Sequence, residues 1–251
     1  MGYVSDTAYI AALFTVALAG WIHGALGLGF PMVATPLLAL ATDVRTAILL
    51  SLLPTIASNI GSILSDRHWR EVLRQFWPMP FATIVGSILG TQVILRTDPE
   101  PYRLLLAAII MLYLVLDRLR GTGLEPRWRP TKPLMVGAGL TAGLLAGLVN
   151  VMAPVLIVFS LETGMAASLM VSVFNVNFLL SKVGQLLAFA ADGAIVVELL
   201  IAAVPLVLVA MGALALGIRV RRRTDVTRYR RWLKWALWVI SGLLIVQHFA
   251  G

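Results

Sequence analysis

The chain contains no cysteine, which excludes disulfides, thiolate metal ligands and a cysteine nucleophile. It is also poor in charge: only 13% of its 251 residues are Asp, Glu, Lys or Arg. No Asp or Glu falls well inside an apolar run, and a cation pathway usually needs such a carboxylate. There is no HExxH, no phosphate-binding GxxxxGK[ST], no pair of intramembrane carboxylates and no persuasive Ser–His pairing, so no enzyme, cofactor or metal site is expected. The N-terminal MGYVSDTAYIAAL lacks the basic region and small-residue cleavage site of a signal peptide. The first apolar run is therefore expected to persist in the mature protein.

What the chain has in abundance is apolar sequence, 59% of residues with a mean hydropathy of +0.91. One water-soluble core could not hide that much apolar surface. The hydrophobicity is continuous rather than alternating, which selects helices over a membrane barrel because lipid satisfies no backbone polar group. The expected fold is an all-α polytopic bundle in the lipid bilayer. The net charge of +8 does not indicate a nucleic-acid partner, because the basic residues gather in short loops between apolar runs, where they set topology. Residues 218–234 carry eight basic and one acidic residue, 117–132 carry five and two, and 65–74 carry three and two. These read as cytoplasmic, whereas the balanced 96–103 and the acidic 190–198 read as external.

Simple crossings cannot satisfy those assignments. The conflict disappears if 8–41 and 133–161 are helical hairpins, each entering and leaving by one face. Glycine and proline supply the breaks: Gly allows positive φ, and Pro suits the first turn of the returning helix. The first break lies in GALGLGFPMVATP, Gly24 to Pro36.

A shift of 123 residues aligns GWIHGALGLGFP (Gly20 to Pro31) with GLLAGLVNVMAP (Gly143 to Pro154), and carries on to pair Ser58 with Ser181 and Gly61 with Gly184. This reads as two repeats, each a broken-helix hairpin plus three transmembrane helices. The first repeat is 1–120, with hairpin 8–41 and spans 46–65, 72–95 and 101–119. A cytoplasmic linker follows at 121–132. The second repeat is 133–251, with hairpin 133–161 and spans 163–191, 195–218 and 231–250. Three crossings per unit force opposite insertion, hence inverted repeats with hairpins entering from opposite faces. A second reading of Gly20, Gly24, Gly143 and Gly147 is close helix packing of the GxxxG kind.

Helices restarting at Pro31 and Pro154 would aim unpaired N–H groups at the protein interior, a setting that favours an anion. The candidate binding residues are Gly27, Gly29, Pro31 and Asn59 in the first half and Asn150, Met152, Pro154, Asn175 and Lys182 in the second, with Thr35, Thr55, Ser58, Asn177, Ser181 and Gln185 as further donors in or near the tips. Asn59 and Lys182 occupy equivalent repeat positions. Lys182 is the single charge well inside a span; it either neutralises a bound anion or snorkels to the interface. His23 is either a proton carrier for coupling or a packing residue. Asp43 reads as the N-cap of the helix after it.

The duplicated Gly-rich broken segment ending in Pro, in a chain of this size and apolarity, resembles the TauE/SafE family of sulfite and organosulfonate permeases. The resemblance implies secondary transport of a small sulfur-containing or carboxylate anion across a prokaryotic inner membrane, by alternating access around the two hairpin tips. Members usually have more consecutive glycines at the tips; here Asn150 and Met152 stand where glycine is usual. The alternative is a membrane-embedded assembly or accessory protein. A homodimer is compatible with either.

Overall fold

In a computed structural model, the described residues are 6–27, 29–65, 68–119, 128–195, 197–221 and 227–250. They form α1 (Asp6–Leu26), α2 (Phe30–Ala41), α3 (Val44–Ser65), α4 (Trp69–Phe76), α5 (Pro78–Arg96), α6 (Pro101–Leu119), α7 (Lys132–Val149), α8 (Ala153–Glu162), α9 (Ala167–Ala191), α10 (Val197–Arg221) and α11 (Thr227–Ala250). Among the described residues there is no strand. Six helices are long and apolar enough to cross a bilayer, as a polytopic membrane protein requires. Residues 121–127 of the expected linker lie outside the described residues.

Helices α2 and α8, with 12 and 10 residues, reach only about 18 and 15 Å at 1.5 Å per residue. Each follows a longer helix across a sharp break. At the first break Gly27 and Gly29 have φ of 84° and 105°; at the second, Asn150 has φ of 61°. Asn is the non-glycine residue best suited to that left-handed conformation, so a glycine is not required at 150. Met152 has φ of −107°, open to any residue, which explains the second departure from the glycine pattern. Pro31 and Pro154 each fall in the first turn of the returning helix, where no intrahelical N–H is lost.

The span expected at 72–95 divides in two. Helix α4 buries Val72 and Phe76 and leaves Arg70, Glu71 and Arg74 on its outer side. Pro78 then opens α5, because it cannot continue the hydrogen-bond ladder of α4. Asp43 caps α3 as expected: its carboxylate accepts from the Thr46 N–H at 3.1 Å and from the Thr46 hydroxyl at 2.5 Å.

The bundle is organised around two glycine seams, α1 on α10 and α5 on α7. A Cβ on Gly20 would lie 2.5 Å from the Ala210 carbonyl oxygen, and one on Gly24 2.9 Å from the Ile218 nitrogen. Across the other seam, Cβ atoms on Gly143 and Gly147 would lie 2.8 Å from the Ser87 nitrogen and 2.6 Å from the Thr91 nitrogen. The close-packing reading therefore holds for these four glycines, while Gly27 and Gly29 make the turn. Both seams run parallel: Gly20 meets Ala210 and Gly24 meets Leu214 and Ile218, while Gly86 meets Leu140 and Gly90 meets Leu144. Contacts recur at the 123-residue offset, α2 on α11 and α6 on α8 among them.

Candidate functional site

Polar side chains line the meeting of α3 and α9 inside this apolar bundle. On α3, Ser51, Thr55, Ser58, Asn59 and Ser62 are buried, and on α9, Asn175, Ser181, Lys182 and Gln185; Asn177 faces α5 instead, its Oδ1 accepting from Thr83 Oγ1 at 2.8 Å. Spacings of three, four and seven residues put each set on one side of its helix. Many bond locally: Thr55 Oγ1 donates to the Ser51 carbonyl at 2.6 Å, Asn59 Nδ2 to the Thr55 carbonyl at 2.9 Å, and Ser181 Oγ to the Phe178 carbonyl at 2.7 Å.

The second tip is held by side chains from three other helices. Asn150 Nδ2 donates to Thr35 Oγ1 at 2.7 Å and to Ser51 Oγ at 3.2 Å. Its Oδ1 accepts from Lys182 Nζ, which also donates to Gln185 Oε1. Gln185 Nε2 in turn donates to the Ala146 carbonyl at 2.6 Å, tying α9 to the last turn of α7. Lys182 is fully buried, so it does not snorkel. Both oxygens on its Nζ belong to neutral amides, which satisfy hydrogen-bond donors but supply no counter-charge.

At the first tip, Asn175 Nδ2 donates to the Gly27 carbonyl at 2.9 Å. His23 sits beneath the turn: its Nδ1 accepts from the Phe30 N–H at 3.1 Å, and its Nε2 lies 2.7 Å from Ser62 Oγ. Because Phe30 can only donate, Nδ1 is the acceptor and Nε2 carries the proton. One free N–H at the start of α2 is therefore capped from the end of α1, and a ring protonated on Nδ1 loses that bond. His23→Asn, whose amide oxygen can replace Nδ1, is expected to keep more folded protein and more transport than His23→Leu, as read by detergent melting temperature and flux; equal loss in both would remove the capping role.

The tips do not meet at one level. Asn175 at the first and Lys182 at the second are seven residues apart on α9, about 10 Å of helix rise. On α3 the order is reversed, with Ser51 at the second tip and Ser62 at the first, so α3 and α9 run antiparallel. The breaks follow first helices of 21 and 18 residues. Pro31, Met152 and Pro154 are buried beside the turns. Asn59 is buried one turn from Ser62, and its Oδ1 has no partner; Ser58 Oγ and Asn175 Oδ1 share that condition.

Thr35 and Gln185, expected from the sequence as donors near the tips, both bond within the second-tip network, whereas Arg221 carried no such expectation, being one of several arginines in RVRRR. Gln185 stands 123 residues after Ser62, and both grip the last turn of a hairpin's first helix. Arg221 and His68 line a polar cavity of about 260 Å³ with Gly27, Ser62, Ser168 and Asn175. Among the described residues no three His, Asp or Glu side chains gather as a metal site needs.

No curated protein and no solved structure matches the chain. The family model described as Sulfite exporter TauE/SafE matches residues 12–245, from the second turn of α1 to the last turns of α11 and across both hairpins. That span includes every helix of the bundle and all the polar residues at its centre, and the chain belongs to the TauE/SafE sulfite exporter family of membrane transporters.

Proposed function

We propose that this chain is a secondary transporter for a small sulfur-containing or carboxylate anion, such as sulfite or an organosulfonate, and that Lys182 supplies the positive charge that neutralises it. The observation that carries the reading is a fully buried lysine whose Nζ is gripped by two neutral amide oxygens. An intramembrane cation costs about 2.5–3.5 kcal/mol on insertion scales, and an anion beside it offsets that cost. The donors around it, Asn150 and Gln185, can reorient toward the anion, and the returning helices α2 and α8 add the positive ends of their dipoles.

The two halves act as inverted repeats in this reading. It is supported by the antiparallel run of α3 and α9 and by equivalent contacts at the 123-residue offset, His23 with Ser62 and Ala146 with Gln185. Alternating access then consists of tilting one hairpin against the α3–α9 pair while the other stays closed. The basic 218–234 segment faces the cytoplasm of a prokaryotic cell and the hairpins return to their own faces. In the cysteine-free background, Glu125→Cys is expected to react with an impermeant reagent only from the cytoplasmic side; labelling from outside in sealed cells would sink the hairpin topology.

Purified protein in liposomes, offered sulfite, sulfoacetate, taurine and simple carboxylates with and without a pH gradient, tests the function. Saturable flux of at least one anion is expected. If none moves, the accessory-protein reading stands instead.

A further inference from the structure

The polar cavity at the first tip is separate from Lys182 and has a cation of its own. Arg221, in the last turn of α10, reaches back to the turn between α1 and α2: a Cβ added to Gly27 would lie 2.8 Å from Arg221 Nη1. Around it stand His68 after α3, the hydroxyls of Ser62, Ser65 and Ser168, and Asn175. The described lining has no carboxylate. Four of these residues, Ser65, His68, Ser168 and Arg221, are exposed, so the cavity opens at the end of the bundle where α3 and α10 finish. Its inner end is closed by Ser62 and Asn175, which are 7% and 2% exposed.

Two features of that inner end define what fits. Asn175 Nδ2 is committed to the Gly27 carbonyl, while its buried Oδ1 has no partner, and a buried acceptor left unmade costs about 1–3 kcal/mol. A ligand that satisfies the whole cavity presents oxygens to a guanidinium and hydroxyls and one hydroxyl to an amide oxygen. That is a small oxyanion bearing a proton.

We propose that this cavity is a loading site for such an oxyanion at that end of the bundle, with Arg221 as its cation and Asn175 as the acceptor for its hydroxyl. The site lies in series with Lys182, seven residues further along α9 or about 10 Å. Ser62 belongs to both the cavity and the His23 contact: its oxygen accepts from His23 Nε2–H, which leaves its own proton free to be donated to an anion while the first tip stays held. Gly27 has a steric reason to be glycine beyond its φ, because any side chain there displaces the guanidinium from the turn.

The proposal deepens the anion-transport reading and rests on it for its purpose, but its test reads the cavity rather than flux. Ser168→Cys places a single thiol in the lining of an otherwise cysteine-free chain. In detergent, its modification by a sulfonate-bearing thiosulfonate reagent is compared with that by the trimethylammonium counterpart. A rate ratio of about tenfold in favour of the anionic reagent is expected from the local field, with protection by millimolar inorganic phosphate, a small oxyanion that keeps a proton. Arg221→Gln should bring the ratio near one and abolish protection, Arg221→Lys should keep much of the ratio, and Arg219→Gln, two residues away on the other side of α10 and outside the lining, should change neither. Equal rates with Arg221 present, no protection by inorganic phosphate, or an equal effect of Arg219→Gln would each overturn the loading site. A protein that keeps the ratio and the protection but moves no anion in liposomes would sink the transport reading alone.

Discussion

Lys182→Met is expected to reduce anion flux by about 100-fold, equivalent to about 2.7 kcal/mol, while leaving the protein as stable as before or more so. The side chain is fully buried with amide oxygens as its partners. Removing the buried charge relieves its insertion cost of about 2.5–3.5 kcal/mol, which offsets the cost of about 1–3 kcal/mol for an amide oxygen left without its donor. Loss of activity with a level or raised melting temperature separates a transport role from a structural one. Asn150→Ala makes the contrasting case. It removes the amide that joins Lys182 to Thr35 and Ser51, and a hydrogen bond lost from a buried charged group costs about 1.5–3 kcal/mol. Stability should therefore fall with Asn150→Ala and not with Lys182→Met. Wild-type flux in Lys182→Met would leave anion binding to the backbone N–H groups of the tips.

The second large effect is at the glycine seams. Gly24→Leu and Gly147→Leu are each expected to abolish recovery of monodisperse protein from detergent. Even one added carbon at Gly24 meets the backbone of Leu214, Gly217 and Ile218, and at Gly147 that of Ser87, Gly90 and Thr91. Backbone atoms cannot rotate aside as a side chain can, so helix pairs must separate, and overpacking costs rise beyond the usual 1–3 kcal/mol. Gly137→Leu and Gly212→Leu, where nothing lies within 4 Å of the added carbon, should purify like the unmodified protein. Size-exclusion profiles of the four variants decide the matter; normal profiles for Gly24→Leu and Gly147→Leu would show that the seams yield.

Several of these features were open to reading without coordinates because they follow from local chemistry. A lipid environment leaves helices as the arrangement for long continuous apolar runs, so the all-α class was determined by composition. Glycines at 27 and 29, and proline at 31 and 154, break helices by their own backbone restrictions, and the chain does turn at both places. Lys182 stood out because the surrounding run holds no other charge. Asp43 was recognisable as a cap because its partner, Thr46, is three residues away.

What the tertiary structure alone decided depends on distance along the chain. Whether Lys182 reached solvent or an interior partner turned on Asn150, 32 residues away, and on a lateral packing of α7 against α9 that no periodicity encodes. The same holds for His23, whose role is set by Ser62, 39 residues on. Arg221 carries the same local signal as its neighbours in RVRRR; only the parallel seam of α1 and α10, built from glycines at 20, 24 and 217, brings it to the turn at Gly27. The depth of the two tips followed from which residues of α3 and α9 they meet. A sequence determines where a helix must stop, because that is backbone chemistry within a few residues; it leaves open what the stopped end will touch, because that is set by the sum of packing contacts across the whole bundle.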